Sequence, residues 1–133
     1  MFEVDHYAIS VGNIEKSVAF YEKLEFQVIR DYQAEDGSVR IVHMQNGGFI
    51  LELFCYPDSA KLPAFVKTVK DDLLVKGAKH FALQVKDVEK AAEYVVEVGL
   101  TDEKPVVAPG RLGRPYFFLK DPDGIFVEVI TAR

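Results

Sequence analysis

The sequence predicts a domain of the α+β class, built from two similar βαβββ modules. Three observations support this fold. Two apolar strands each follow a glycine turn and carry one carboxylate in the middle, Glu52 in one strand and Glu128 in the other. In each half, an opening apolar strand precedes a stretch whose apolar residues recur at helical spacing. The opening strand at residues 6–11 also matches residues 80–85, and self-similarity of this kind indicates a duplicated unit.

The first module, residues 1–56, is predicted to contain one helix and four strands. Asn13 is placed to cap the helix, since its side chain can accept a hydrogen bond from the first turn. Asn46-Gly47 is typical of a two-residue hairpin turn. Pairing across that turn would set His43 opposite Ile50. The predicted elements are a strand at 2–11, a helix at 14–24, and strands at 26–32, 39–45 and 48–54.

The second module, residues 78–133, repeats this plan after a connector at residues 57–77, and all three parts form one domain, 1–133. Asp87 is predicted to cap its helix, and Gly99 fits the position just past the end of that helix. The predicted elements are a short helix at 64–75 in the connector, a strand at 78–85, a helix at 88–98, a weaker strand near 106–107, and the hairpin at 117–130 around Asp121-Pro122-Asp123-Gly124.

The composition excludes several classes of function. A formal net charge of −5, without a basic stripe, argues against binding to nucleic acid. The longest apolar runs are too short to span a bilayer. The first residues lack the basic and apolar segments of a signal peptide. A single cysteine, Cys55, excludes an internal disulfide framework. We therefore expect a cytoplasmic protein with no membrane partner.

Alternation along the strands predicts a cluster of metal ligands. Successive side chains of a strand point to opposite faces, and the bulkier faces of these strands are expected to pack on the helices. The other faces carry two histidines and two glutamates: His6, Glu52, His80 and Glu128. Two imidazoles and two carboxylates suit Ni²⁺, Co²⁺ or Zn²⁺, with Fe²⁺ and Mn²⁺ also chemically suitable. The alternative is two core histidines and two edge carboxylates, but the symmetric recurrence favours the metal site.

Five further residues are candidates for contact with a small-molecule substrate. His43 lies on the predicted ligand face, where it would contact substrate, relay a proton or serve as a polar wall. Arg111 and Arg114 lie in a loop rich in glycine and proline, where they would clamp an anionic group or remain solvated. The other two candidates are aromatic: Phe117 and Phe126.

These residues resemble the vicinal oxygen chelate superfamily, which includes glyoxalase I, extradiol dioxygenases and antibiotic-resistance proteins. The resemblance covers the whole chain and includes the turn Asp121-Pro122-Asp123-Gly124 before Glu128. It implies an open, cup-shaped mixed sheet around a metal, with the four candidate ligands on the positions used by glyoxalase I-type lyases. Such an enzyme moves a proton between adjacent carbons of a metal-chelated α-hydroxycarbonyl or hemithioacetal through an enediolate. The proton would be carried by Glu128 or Glu52.

The pattern departs from bacterial glyoxalase I at two positions. Ser10 stands where an arginine commonly binds glutathione, and Tyr56 replaces a common asparagine. The resemblance therefore does not identify the thiol. It also leaves open a CoA-ester epimerase, an iron-dependent dioxygenase, and a metal-free protein that binds an antibiotic or another small molecule. Because a C₂ dimer is the commonest closed assembly, we expect a homodimer, with metal sites built within one chain or shared between two.

Overall fold

The computed structural model describes residues 1–133, which form two compact units, Met1–Lys61 and Leu62–Arg133. The first unit contains an open four-stranded sheet and the second an open three-stranded sheet. One helix packs on the sheet of each unit. The predicted α+β class is therefore confirmed. No helix has the length and apolar character needed to cross a membrane.

The first unit follows the predicted order of elements. In its sheet, with order β1-β4-β3-β2, β1 runs parallel to β4 and the other pairs are antiparallel. The side chain of Asn13 accepts a hydrogen bond from the backbone N–H of Lys16, as expected of the predicted cap. The elements are β1 (His6–Ser10), α1 (Ile14–Glu22), β2 (Gln27–Gln33), β3 (Arg40–Asn46) and β4 (Phe49–Cys55).

The hairpin between β3 and β4 has a different register from the predicted one. Asn46 pairs with Phe49, so the two-residue loop is Gly47-Gly48 rather than Asn46-Gly47. Gly47 has a φ of 55°, a left-handed value that glycine adopts without strain. The predicted pairing of His43 with Ile50 is therefore wrong by two residues, and His43 pairs with Glu52. A shift of two residues leaves every side chain on its predicted face.

The second unit repeats the strand-helix opening. Asp87 caps its long helix, and Gly99, with a φ of 71°, follows the end of that helix as predicted. In its sheet, with order β5-β7-β6, β5 runs parallel to β7 and β6 runs antiparallel to it. The elements are α2 (Val69–Leu73), β5 (Phe81–Val85), α3 (Val88–Glu97), β6 (Tyr116–Lys120) and β7 (Phe126–Thr131).

The weak strand predicted near residues 106–107 does not form. Its place is taken by a single bridge between Ala108 and Tyr116, so the second sheet has three strands. Pro105 and Pro109 flank this segment, and a proline cannot donate a hydrogen bond to a sheet ladder. The segment therefore pairs at one residue only.

Burial follows the predicted alternation within each unit. Leu51 and Leu53 of β4 are fully buried, whereas Glu52 between them is partly exposed. On β7, Val127 and Val129 are buried on either side of a partly exposed Glu128. Because α1 packs on β4 and α3 packs on β7, the glutamates lie on the sheet faces turned away from the helices.

Candidate functional site

The first unit brings two histidines against one glutamate. We call His6, His43 and Glu52 the first half-site. In the sheet, Glu52 pairs with Ala8 on one side and with His43 on the other. The Nε2 atom of His6 lies 3.3 Å from one carboxylate oxygen of Glu52, and Nε2 of His43 lies 2.6 Å from the other. The glutamate side chain is only 14% exposed, so both imidazoles act on a carboxylate that is largely shielded from water.

Asp5 supports the first half-site. Its carboxylate accepts a hydrogen bond of 2.7 Å from Nδ1 of His6. This bond raises the pKa of His6 above its ordinary value, and the charge of Glu52 acts in the same direction, whereas partial burial opposes both. A carboxylate on Nδ1 also turns Nε2 towards Glu52, which is the usual way to orient a metal-binding imidazole. Asp5 was not among the predicted site residues, although it stands directly before His6 in the sequence.

The second unit presents one histidine, one glutamate and an aromatic ring. We call His80, Phe118 and Glu128 the second half-site. Nε2 of His80 lies 3.3 Å from a carboxylate oxygen of Glu128. Glu128 pairs with Ala82 on β5 and with Phe118 on β6. The ring of Phe118 meets the ring of His80 edge-on, with 4.8 Å between centroids, and Nδ1 of His80 is buried without a hydrogen-bond partner.

In each half-site, the distance between the histidine Nε2 and a glutamate oxygen suits two ligands of one metal ion. Two ligand atoms on adjacent corners of an octahedron with bonds of about 2.1 Å lie about 3 Å apart. The His6–Glu52 and His80–Glu128 distances of 3.3 Å are close to that separation. Across residues 1–133, no group of three or more donor side chains is arranged to hold a metal ion. Within each unit, the structure brings one of the predicted histidines against one of the predicted glutamates, and the metal site of four ligands stays a prediction.

The two aromatic candidates occupy different faces of the second sheet. Phe117 is 1% exposed and pairs with Val129, so it lies in the core and not beside Glu128. Its predicted role as a substrate contact does not fit this position. Phe118 takes the place beside Glu128, and its ring lies 6.1 Å from that of Phe126, which is on the same face as Glu128. Strand parity in the sequence pointed to Phe118, because Phe118 and Glu128 face each other in the hairpin.

The two arginine candidates have different surroundings. Nε and Nη2 of Arg114 both donate to the backbone carbonyl of Thr131, so this guanidinium ties the loop to β7. Gly110 packs against the backbone carbonyl of Arg114 so closely that an added Cβ would lie 2.1 Å from that oxygen. Arg111 lies between these residues and is exposed. Of the two arginines, Arg111 is the one whose side chain remains available to an anionic ligand.

Comparison with known proteins identifies the class to which this protein belongs. Residues 3–129 match the Glyoxalase/Bleomycin resistance protein/Dioxygenase superfamily, and the chain is a member of it. The structure is similar to that of the glyoxalase family protein from Enterococcus faecalis, with a TM-score of 0.77, 26% identity and 96% of each chain covered.

Two relatives in sequence resemble almost the whole chain. The uncharacterized protein YwkD of Bacillus subtilis is 33% identical over 128 residues, which cover 95% of this chain and 94% of that protein. Glyoxylase I 4 of Arabidopsis thaliana is 24% identical over 130 residues, which cover 97% of this chain and 70% of that protein. The predicted resemblance to the vicinal oxygen chelate superfamily is therefore confirmed.

Proposed function

We propose that this protein is a divalent-metal-dependent lyase or isomerase of the glyoxalase I type. Its substrate would be an α-hydroxycarbonyl compound or a hemithioacetal, and the reaction would move a proton between adjacent carbons. The observation that carries the proposal is the matched placement of one histidine and one glutamate in each unit, with 3.3 Å between Nε2 and a carboxylate oxygen in both. The proposed ligands are His6, Glu52, His80 and Glu128.

The chemistry of the four side chains suits this reaction. A bound Ni²⁺, Co²⁺ or Zn²⁺ ion, or alternatively Fe²⁺ or Mn²⁺, would act as a Lewis acid on two neighbouring substrate oxygens. Glu52 or Glu128 would take a proton from one carbon and return it to the next, so the reaction needs no external oxidant or reductant. Both side chains suit this role because they are 14% and 17% exposed, which leaves each shielded from bulk water yet reachable.

The surroundings of the half-sites suggest how a substrate would be held. Phe118 and Phe126 line the side of Glu128 and would exclude water from it. Arg111 is exposed and would bind an anionic group of the substrate, whereas Arg114 is engaged by Thr131. Because the glutathione-associated positions differ in this chain, the thiol that would form a hemithioacetal is best sought with a panel of thiols.

Metal analysis tests the proposal. The purified protein should bind one divalent ion per chain, and His80→Ala and Glu128→Gln should each weaken binding by more than about tenfold, because each removes a ligand. Glu97→Gln is a matched control, since Glu97 is an exposed residue of α3 outside both half-sites. Metal affinity equal to that of the wild type in both site variants would eliminate the proposal. Turnover of methylglyoxal with a panel of thiols then tests the reaction.

We further propose that the protein is a homodimer whose metal sites are shared between chains. A mixture of His6→Ala and His80→Ala chains, unfolded and refolded together, tests this arrangement. If each site takes its two histidines from different chains, mixed dimers regain one intact site, with metal binding and activity. Mixed dimers that stay as inactive as their parents would refute sharing, and a monomer at micromolar concentration would refute the dimer.

A second function is favoured by the aromatic residues of β6 and β7. The rings of Tyr116 and Phe118 lie 5.5 Å apart, and those of Phe118 and Phe126 lie 6.1 Å apart. Tyr116 and Phe118 are partly exposed and would stack on an aromatic small molecule, with the buried Phe126 packed behind them. This alternative is a metal-free binding protein. Binding of an aromatic ligand that is unchanged by chelators, together with no bound metal, would favour it over the lyase.

A further inference from the structure

The contact of 2.6 Å between His43 and Glu52 is shorter than the histidine–glutamate contact of 3.3 Å between the proposed ligands within each unit. It lies directly across the β3–β4 ladder from Glu52, and its Nε2 is 2.6 Å from Oε2 of that carboxylate. An ionised carboxylate can only accept hydrogen bonds, so the imidazole is the donor. A charge-assisted bond of this length is among the stronger hydrogen bonds in proteins. The His43 ring also stacks beside that of His6, at 6.0 Å between centroids.

The hydrogen bond leaves one defined oxygen of Glu52 for other partners. Oε2 faces His43, whereas Oε1 lies 3.3 Å from Nε2 of His6. The two oxygens therefore have separate roles: one is held by β3 and the other is presented beside the imidazole of β1. His6 is in turn oriented by Asp5 through its Nδ1 atom. The Glu52 carboxylate and the His6 imidazole thus each have a second partner that orients them, His43 for Glu52 and Asp5 for His6.

The second half-site lacks this support. The residue on β6 that pairs with Glu128, as His43 pairs with Glu52, is Phe118, whose side chain has no polar atom. Its ring touches the imidazole of His80 by its edge, and Nδ1 of His80 has no hydrogen-bond partner. The two units therefore share a plan, but their glutamates have different neighbours. Glu52 is restrained by a hydrogen bond across the ladder, and Glu128 is not.

We propose that His43 is a positioning residue that holds Oε2 of Glu52, so that Glu52 binds the metal through Oε1 alone and beside His6. The inference rests on the proposed metal-dependent function and adds a role for a residue outside the four ligands. It also implies that the side chain of Glu128 is freer to move than that of Glu52, because Glu128 has no counterpart of His43. It also predicts which substitutions of His43 are tolerated: glutamine places its amide nitrogen near the position of Nε2, whereas asparagine is one methylene shorter and phenylalanine has no donor.

The first experiment uses the metal-free protein. In proton–nitrogen spectra of the imidazoles, the Nε2–H of His43 should be visible and protected from exchange with water, because it is held in the bond to Glu52. Glu52→Ala should remove this resonance. If the metal-free protein shows no protected Nε2–H at His43, the proposal is overturned, whatever metal the protein binds. A protected proton in a protein that binds no metal would instead leave the bond intact and refute the proposed function.

The second experiment measures the affinity for Zn²⁺ and Co²⁺ alone, by competition with a chelating dye. Loss of the partner behind a ligand typically costs 10- to 100-fold in metal affinity. His43→Phe and His43→Asn should therefore weaken binding by about 10- to 100-fold at unchanged stoichiometry, whereas His43→Gln should stay within about threefold of the wild type because it keeps the donor. Gln45→Leu is the matched control, since it changes the same face of β3 two residues away.

Two outcomes of this second experiment would overturn the proposal. Wild-type affinity in His43→Phe would mean that the hydrogen bond has no effect on the site. A loss in His43→Gln as large as that in His6→Ala would mean that His43 binds the metal directly. The Co²⁺ absorption spectrum separates these cases further, because a positioning role predicts the wild-type spectrum in His43→Gln, and direct ligation predicts a changed one.

Discussion

Truncation of two adjacent phenylalanines of β6 should lower stability by different amounts. Phe117 is 1% exposed and packs in the core of the second unit, whereas Phe118 is partly exposed and borders Glu128. Phe117→Ala removes a fully buried ring and leaves a cavity, which typically costs about 3–5 kcal/mol. Phe118→Ala loses a smaller buried area, for which about 1–2 kcal/mol is expected. The larger loss of stability should therefore fall on the residue that is farther from the proposed chemistry.

These costs translate into measurable shifts. An unfolding entropy of about 2.1 cal/mol/K per residue gives roughly 0.28 kcal/mol/K for 133 residues, so Phe117→Ala should lower Tm by about 11 to 18 °C. Because that loss approaches the whole stability of an average domain, Phe117→Leu provides a milder test, with an expected cost of about 1.5 kcal/mol or about 5 °C. Circular dichroism is the suitable probe, since the chain has no tryptophan.

The pair of variants also tests the site. Phe118→Ala should fold and yet alter metal binding or ligand binding, because it removes the ring that meets His80 edge-on. Phe117→Leu should keep the binding properties of the wild type once it is folded. A Phe118→Ala variant less stable than Phe117→Ala would refute this reasoning, since it would mean that the two rings face the opposite way and that the β6–β7 register is shifted by one residue.

Three further results are expected. The hydrogen bond from Arg40 lowers the pKa of Asp31, so this pair stabilises the protein above about pH 4 and stops doing so as the pH falls through the lowered pKa. Asp31→Asn should lower the free energy of unfolding by at most about 1 kcal/mol at pH 7, because the pair is exposed. A difference in stability between wild type and Asp31→Asn that grows in acid would contradict this prediction. Gly110→Ala should destabilise the protein by more than about 1 kcal/mol in urea unfolding, since its Cβ would lie 2.1 Å from the Arg114 carbonyl oxygen, and an unchanged midpoint would refute that packing. Chelator dialysis should abolish activity and added Ni²⁺, Co²⁺ or Zn²⁺ should restore it; activity that survives in metal-free protein excludes the metal-dependent mechanism.

The residues of the half-sites illustrate how far local patterns reach. The alternation of apolar and polar residues shows on which face of the sheet each strand residue lies. The glutamates of β4 and β7 could therefore be placed on the faces turned away from the helices from the sequence alone. The same period of two explains why the wrong register predicted for the β3–β4 hairpin left the predicted face of His43 correct, since the shift was two residues. Helix starts were equally local, because Asn13 and Asp87 cap through atoms only three residues away.

By itself, the sequence determined the class of fold, the repeated plan, and the histidine and glutamate of each unit, because all of these are written in spacing and self-similarity. The tertiary structure decided which side chains touch. It formed the hydrogen bond between His43 and Glu52, and it placed the guanidinium of Arg114 on the backbone carbonyl of Thr131, 17 residues away. Such contacts depend on the register of strands and the path of loops, and these follow from the packing of the whole unit, not from the pattern within any one segment.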